Sequence, residues 1–256
     1  MKAKFIVITI FFCLFFSLQT ALAEIMFIFN PETRVSEVQQ VKLSLKQYLK
    51  SKGIEMEVYL FGNTDDFENS IVRLNPDHAI IISYYYQSMK SKLQWRSILA
   101  GHYYGEKQFN KLLVSPKSIT DLKQLQNKRL AAVSLGSISL SYLDYQLPEG
   151  FSSQNIHLVK VSKDIDAIMA LGFEQVEGAI VTLDSFEKLK IINSNVYNKL
   201  HILQKLASIS YPKLVFFPKT NSNEKLILAF KNLPYDGETK IILRFLGITG
   251  FIEEGS

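Results

Sequence analysis

The stretch LAAVSLGSISLSYLDYQL, residues 130–147, decides the fold because it predicts a buried strand that runs into a helix. The strand breaks at Gly136, and Ser137, Ser139 and Ser141 follow on the way into an apolar, helix-like run. Serines at a helix start have two explanations. They cap backbone N–H groups that otherwise lack partners, or they are small residues that leave those N–H groups free to hold an anion. The choice between the two roles decides the function.

The N-terminal segment has the parts of a secretory signal. Two lysines precede an apolar run over residues 5–16, and residues 21–23 form a small-x-small cleavage pattern. We therefore predict a cleaved signal peptide over residues 1–23. An uncleaved anchor is the alternative, although the run is shorter than the roughly 18–20 residues that a membrane span requires. The single cysteine, Cys13, lacks the small-residue lead-in of a lipoprotein, so we expect neither a disulfide nor a lipid anchor.

Composition argues against several classes of partner. Removing the two lysines of the predicted signal leaves 27 of the 29 basic residues against 24 acidic ones, a net charge of +3. These basic residues are spread along the chain, so we expect no nucleic-acid or membrane-surface binding. Residues 24–256 are enough for one large domain or two lobes with separate cores.

Short apolar segments that predict strands alternate with amphipathic helices in two successive blocks. Strands of the first block are predicted at residues 25–29, 54–60 and 79–82, with helices at 35–49 and 66–74. Strands of the second block are predicted at 109–114, 129–134, 156–161, 176–181 and 213–217, with closing helices at 223–233 and 236–246. Alternation of this kind predicts open parallel sheets. Two blocks predict two lobes with a cleft between them.

Several segments resemble the phosphate/phosphonate-type periplasmic solute-binding proteins of ABC transporters. FNKLLVSPKSITDLKQLQNKRLAAVSLGSIS is similar to the opening of that family's second lobe, and IHLVKVSKDIDAIMALGFEQVEGAIVTLDSFEKL is similar to the strands and helices that follow. LHILQKLASISYPKLVFFP and LRFLGITGF are similar to its return crossover and C-terminal helix. The resemblance implies an α/β, type 2 periplasmic binding protein fold. Each lobe is then an open, mostly parallel sheet flanked by helices, and two hinge crossovers join the lobes.

The resemblance also implies lobe boundaries. Crossovers are expected near residues 105–111 and 205–210. Lobe 1 is then formed by residues 24–109 and 206–256, and lobe 2 by residues 110–205. Lobe 2 is therefore expected to be inserted into lobe 1.

A ligand site between the lobes follows from the same resemblance, because the family's serine-rich loop holds phosphonate oxygens with hydroxyls and helix N-terminal amides. Carried onto this sequence, the loop places Ser137 and Ser139 at the ligand, with Ser134 behind them. The sequence departs from the family where Ile138 separates two serines and no glycine follows the second. Capping stays the alternative role of these hydroxyls.

Further ligand contacts are expected from lobe 1, beyond the carboxyl ends of its strands. Tyr84, Tyr85 and Tyr86 follow the third strand, where the family has a ligand-facing tyrosine. A tyrosine that packs its ring and wets its hydroxyl is the alternative. Tyr103 and Tyr104 lie just before the first crossover and are similar candidates.

Four further positions complete the predicted site. Pro31 and Glu32 follow the first strand, where we expect the backbone to matter more than a carboxylate that would repel an anion. His157 lies at a strand that often carries a histidine contact in the family, with simple half-burial as the alternative. Glu177 falls where the family has an aspartate that accepts from a ligand amino group; a solvated strand-end carboxylate would have no such role.

Catalytic and metal-site motifs are missing from the sequence. The serines of GSISL are not in a G-x-S-x-G elbow, and the four histidines form no i, i+4 pair. We predict a non-enzyme without cofactor or metal. The expected protein is a periplasmic monomer that captures a small phosphate-, phosphonate- or phosphite-like oxyanion for an inner-membrane ABC permease. A ligand-sensing or orphan binding protein of the same fold, acting with a membrane sensor, is the alternative.

Overall fold

A computed structural model describes residues 23–31, 35–149, 151–218, 220 and 223–254. The predicted signal peptide up to residue 22, with Cys13, lies outside these residues, as does Glu32. Within the described ranges, no helix has both the length and the apolar character needed to cross a membrane.

The described residues form strands and helices in alternation. The strands are β1 (Glu24–Phe29), β2 (Met56–Phe61), β3 (His78–Ile81), β4 (Arg96–His102), β5 (Gln108–Pro116), β6 (Lys128–Val133), β7 (Ile156–Val161), β8 (Gly178–Thr182), β9 (Leu200–Ser210), β10 (Lys213–Phe216) and β11 (Gly250–Glu253). The helices are α1 (Val35–Ser51), α2 (Thr64–Leu74), α3 (Ser83–Leu93), α4 (Ser139–Gln146), α5 (Asp164–Gly172), α6 (Leu183–Ile192), α7 (Ser194–Tyr197), α8 (Glu224–Lys231) and α9 (Thr239–Phe245). Short 3-10 turns cover Leu122–Leu125, Gly136–Ile138 and Ser153–Asn155.

These strands form two sheets. The first has the order β11-β4-β10-β3-β1-β2, and the second has the order β7-β6-β8-β5-β9. In the first, β1 pairs in parallel with β2 and β3, whereas β10 runs antiparallel to β3 and β4. In the second, β6, β7 and β8 are parallel and β5 is reversed. The prediction of two mostly parallel sheets with flanking helices is confirmed.

The first sheet is buried on both faces because its strands alternate their side chains between two cores. Ile28 packs on one face with Leu45 of α1, in a core that α8 and α9 complete. Phe27 and Phe29 point to the other face, where the Phe29 ring stacks on Phe67 of α2 at a centroid distance of 4.7 Å. This second, aromatic core continues across to the other sheet.

The chain passes between the sheets twice. The first passage covers residues 103–107, between β4 and β5, and the second covers residues 211–212, between β9 and β10. Because β9 continues to Ser210, the second sheet extends beyond residue 205. The lobe boundaries given above stay a prediction; below, lobe 1 denotes the part that carries the first sheet and lobe 2 the part that carries the second.

Candidate functional site

The carboxyl ends of the parallel strands in the two sheets face each other. Residues 134–139, here called the serine turn, follow β6 of the second sheet, and α2 begins just after β2 of the first. Gly136 of the turn lies directly against Thr64, since a Cβ at Gly136 would come within 2.8 Å of the Thr64 Cβ and Cγ2. Ligands of open α/β sheets bind beyond the carboxyl ends of the strands. The candidate site is therefore the junction between the serine turn and α2.

Two of the three predicted serines serve the turn itself. The Ser139 hydroxyl accepts from Leu135 N at 2.8 Å and donates to the Gly136 carbonyl at 2.9 Å. This side chain is only 3% exposed. The Ser134 hydroxyl accepts a long hydrogen bond of 3.4 Å from Gly136 N. Both hydroxyls therefore bond to the backbone of the turn itself, although neither the 3-10 turn Gly136–Ile138 nor α4 has a side-chain cap among the described residues.

Ser137 is different because its exposed side chain reaches across to lobe 1. Its hydroxyl lies 3.5 Å from Oε1 of Glu68, which is on α2 one turn after Thr64. The Tyr85 hydroxyl donates to the same carboxylate oxygen at 2.9 Å. Burial raises the pKa of the Tyr85 phenol, and the hydrogen bond to Glu68 raises that pKa further. Tyr85 is thus a permanent donor, and Glu68 joins a tyrosine of lobe 1 to a serine of lobe 2.

An aromatic contact lies beside this polar one. The Tyr84 ring of α3 meets the rings of Tyr142 and Tyr145 of α4, at centroid distances of 4.6 and 5.3 Å. Leu135 and Ile138 are buried in the aromatic core of lobe 1 together with Tyr142. Protein side chains of both lobes therefore line the junction directly.

The remaining aromatic candidates lie elsewhere. Tyr86 is buried inside lobe 1, where its hydroxyl accepts from Ser97 N at 3.3 Å. Tyr103 and Tyr104 belong to the first passage between the sheets, where Tyr103 forms an isolated β-bridge with Glu106, and the Tyr104 side chain is 70% exposed. Pro31 follows β1 at the junction edge and is half-buried. Tyr84 therefore contacts α4, and the Tyr85 hydroxyl shares the Glu68 carboxylate with Ser137. The Tyr86 hydroxyl, by contrast, bonds within lobe 1.

His157 and Glu177 lie at the amino ends of the strands in the second sheet, opposite to the serine turn. His157 is paired with Arg129 in the β6–β7 register, and Glu177 accepts from the Arg129 guanidinium at 2.9 Å and from its backbone N at 2.9 Å. The hydrogen bond from Arg129 lowers the pKa of Glu177. Five residues of extended strand, about 16 Å, separate Arg129 from Ser134. The structure does not bring His157 and Glu177 together with the serine turn.

Sequence reasoning missed a buried ion pair near the junction. Lys111 Nζ lies 2.8 Å from Oδ1 of Asp164, and both side chains are nearly inaccessible. The other oxygen of Asp164 accepts from Thr182 N at 2.6 Å, which ties the start of α5 to the carboxyl end of β8. Glu68 was missed as well, because it lies among polar residues of the helix predicted at 66–74 and nothing in the sequence paired it with Ser137 or Tyr85. Among the described residues, no cluster of three or more His, Cys, Asp or Glu could hold a metal.

Comparisons with known proteins identify the fold. No family model and no curated protein matches the chain. A solved structure from Xanthomonas citri, bound to ATP, is similar with a TM-score of 0.70 and 12% identity over 90% of each chain. PhnD1 from Prochlorococcus marinus, in complex with methylphosphonate, is similar with a TM-score of 0.68 and 13% identity over 90% of this chain and 93% of its own. The chain has the type 2 periplasmic binding protein fold.

A third periplasmic binding protein fold neighbour is the binding component of an ABC phosphonate transporter from Pseudomonas aeruginosa. It has a TM-score of 0.67 and 15% identity, over 91% of this chain and 81% of its own. This neighbour is a binding protein component of a transporter, and the similarity to it shows a shared fold. The ligands named with the other two neighbours, methylphosphonate and ATP, differ widely, so the fold alone does not specify the ligand.

Proposed function

We propose that the protein is an exported solute receptor that binds a small oxyanion between its lobes and presents it to an inner-membrane ABC permease. The observation that carries the proposal is the position of Ser137, an exposed hydroxyl at the junction of the two carboxyl edges that reaches across to lobe 1. In this proposal the protein is a periplasmic monomer, released by signal cleavage and without a lipid anchor. Phosphate, phosphite and phosphonates are the first ligand candidates.

Each serine has a separate role in this proposal. Ser137 contacts the ligand, while Ser134 and Ser139 hold the backbone of the turn by accepting from Gly136 N and Leu135 N. Tyr84 and Tyr85 complete the site from lobe 1. A ligand held by both lobes favours the closed arrangement, and the passages between the sheets serve as hinges.

A thermal-shift screen tests the proposal on protein purified after export. The panel contains phosphate, phosphite, alkyl- and aminoalkylphosphonates, sulfate and small carboxylates. A ligand at 100 times its dissociation constant should stabilise the folded state by about 2.7 kcal/mol. A selective shift with one oxyanion would support the receptor function, and a flat response from a well-folded protein would count against it.

The variants Ser137→Ala and Ser139→Ala form a matched pair for the same screen. We expect Ser137→Ala to weaken ligand binding with little change in stability, because the one hydrogen bond of its hydroxyl among the described residues is long, at 3.5 Å. Ser139→Ala should lower the free energy of unfolding by about 1 kcal/mol, because two backbone groups lose a partner. Loss of binding through Ser139 alone, with normal melting, would reverse this assignment.

A second function, ligand sensing with a membrane partner, is favoured by the apolar part of the junction. Leu135, Ile138 and Tyr142 bury their side chains in the core of lobe 1. Direct packing of this kind stabilises one relative arrangement of the lobes, which a partner could recognise. A chain that melts cooperatively and ignores the whole oxyanion panel would favour this function over transport.

A further inference from the structure

Glu68 places a negative charge at the position where the proposed function requires an anion to bind. Its Oε1 accepts from Tyr85 at 2.9 Å and lies 3.5 Å from the hydroxyl of Ser137. These donors come from different lobes, so the carboxylate bridges the junction as a bound ligand would. Among the described residues, no lysine, arginine or histidine forms an ion pair with Glu68.

One of the two donors, the Tyr85 hydroxyl, is held in place by the packing of its ring. Tyr85 is fully buried, with its ring packed edge-on against Phe29 and Phe67 at 5.3 and 5.5 Å. Its hydroxyl is thereby held toward α2. Glu68 itself is half-buried, and its position on α2 is fixed by Phe67, which is fully buried in the same aromatic core. The carboxylate is therefore a built part of the junction.

We infer that Glu68 sets the ligand selectivity of the junction: its carboxylate occupies the hydroxyls of Ser137 and Tyr85 in place of an anionic ligand, and an oxyanion must displace it to bind. This inference rests on the proposed function. Two negative groups that share neutral donors compete for the hydrogen bonds and repel each other. Glu68 thus disfavours a doubly charged oxyanion more strongly than a singly charged one.

The variant Glu68→Gln tests this role because glutamine has nearly the same shape and keeps an acceptor oxygen for Tyr85. Binding of phosphate, methylphosphonate, sulfate and formate is measured by calorimetry on the exported protein. We expect the affinity for phosphate or sulfate to rise on the order of tenfold or more, given the strength of a close charge pair, and the affinity for formate to rise less.

Asp66→Asn is the matched control, since it removes one negative charge from an exposed position two residues away on the same helix. Its affinities should stay within about twofold of the parent protein, because exposed charges at a distance are screened. An equal gain in both variants would reduce the effect to net charge and overturn the specific role of Glu68.

The failures of the two proposals are distinguishable. If the parent protein binds an oxyanion and Glu68→Gln binds it no more tightly, the role of Glu68 is refuted while the receptor function stands. If neither protein binds any member of the panel, although both melt cooperatively, both proposals fail. Oxyanion binding gained only in Glu68→Gln would support the inference and indicate that the natural ligand is not a free dianion.

Discussion

Polar residues lie at both ends of the strands in the second sheet, here called its carboxyl and amino edges, but they make different contacts at the two ends. At the carboxyl edge, the serine turn folds onto its own backbone and Ser137 crosses to the other lobe. At the amino edge, Glu177 pairs with Arg129 of the neighbouring strand. The difference follows from strand direction, because only one edge of a parallel sheet is opposed by the other lobe. A polar residue near a strand end is therefore a site candidate only when it lies at the carboxyl end of the strand, which faces the other lobe.

The largest effect is expected at the carboxyl edge, from Asp164→Ala. This change removes the carboxylate that lies 2.8 Å from the buried Lys111 ammonium, and it also removes the acceptor for Thr182 N. Breaking a buried ion pair by removing one partner costs about 3–5 kcal/mol of unfolding free energy. Urea denaturation would measure the loss.

Asp184→Ala is the control for that comparison, because Asp184 forms an exposed pair with Lys188 one turn further along α6. Such a helical pair contributes about 0.3–0.5 kcal/mol. Equal losses of unfolding free energy in the two variants would show that the buried ion pair stabilises the fold no more than an exposed one does.

The next effect is expected from Gly136→Ala, compared with Gly53→Ala. Both glycines have a positive φ, 56° and 71°, so alanine at either position is strained by about 1–2 kcal/mol. Only at Gly136 does the new Cβ meet another lobe, at 2.8 Å from Thr64, whereas nothing lies within 4 Å at Gly53. Overpacking adds about 1–3 kcal/mol unless the lobes separate.

Small-angle scattering distinguishes those two outcomes. We expect Gly136→Ala to increase the radius of gyration because separation of the lobes relieves the contact with Thr64. Gly53→Ala should leave the radius of gyration unchanged. An unchanged radius with unchanged melting in Gly136→Ala would mean that the serine turn does not contact α2 in solution.

The strands were largely predictable because apolar runs bounded by turn residues carry their own signal. Strand β7 has the predicted bounds, and the helix predicted at 35–49 ends just two residues later, at Ser51. Residues 83–102, by contrast, were left without a predicted helix or strand, although they form α3 and β4. The helix α3 exposes many polar residues and is fixed mainly by burial of Tyr85 and Tyr86, which depends on the rest of lobe 1.

The site was less predictable because it depends on contacts between distant segments. The serine turn could be found from residues 130–147, but the sequence could not show that Ser139 bonds to its own turn while Ser137 reaches across. Glu68 belongs to a helix that was predicted, yet its carboxylate contacts Tyr85, 17 positions later, and Ser137, 69 positions later. Long-range packing, which carries no local pattern, therefore decided which serine reaches the other lobe.

The amino edge of the first sheet offers a pH-dependent test. His78 is fully buried at the start of β3; its Nε2 lies 3.1 Å from Glu24, and its Nδ1 has no partner among the described residues. Burial lowers the pKa of His78 despite the opposing effect of Glu24. The unfolded chain therefore binds a proton near pH 6.5 that the folded chain does not.

The contribution of neutral His78 to the free energy of unfolding is therefore fully present above pH 6.5. It is lost as the pH falls from that value toward the lower pKa of His78 in the folded state. Chemical denaturation at pH 7.5 and 5.5 should show a larger loss for the parent protein than for His78→Gln, which cannot be protonated in this range. Parallel losses in the two proteins would mean that His78 is protonated as readily in the fold as in the unfolded chain.

The smallest effect is expected from Glu177→Gln, and it sharpens the comparison between the edges most directly. Glu177 is partly exposed, and its hydrogen bonds with described residues stay within its own sheet. Its loss should therefore change the melting temperature little and the oxyanion affinity not at all. The change removes one negative charge, as Glu68→Gln does, but about 16 Å of strand separates this edge from the serine turn. An affinity gain in Glu68→Gln with none in Glu177→Gln would assign the selectivity to the carboxyl edge. A matching change in Glu177→Gln would instead place a ligand contact at the edge that faces away from lobe 1, contrary to the geometry.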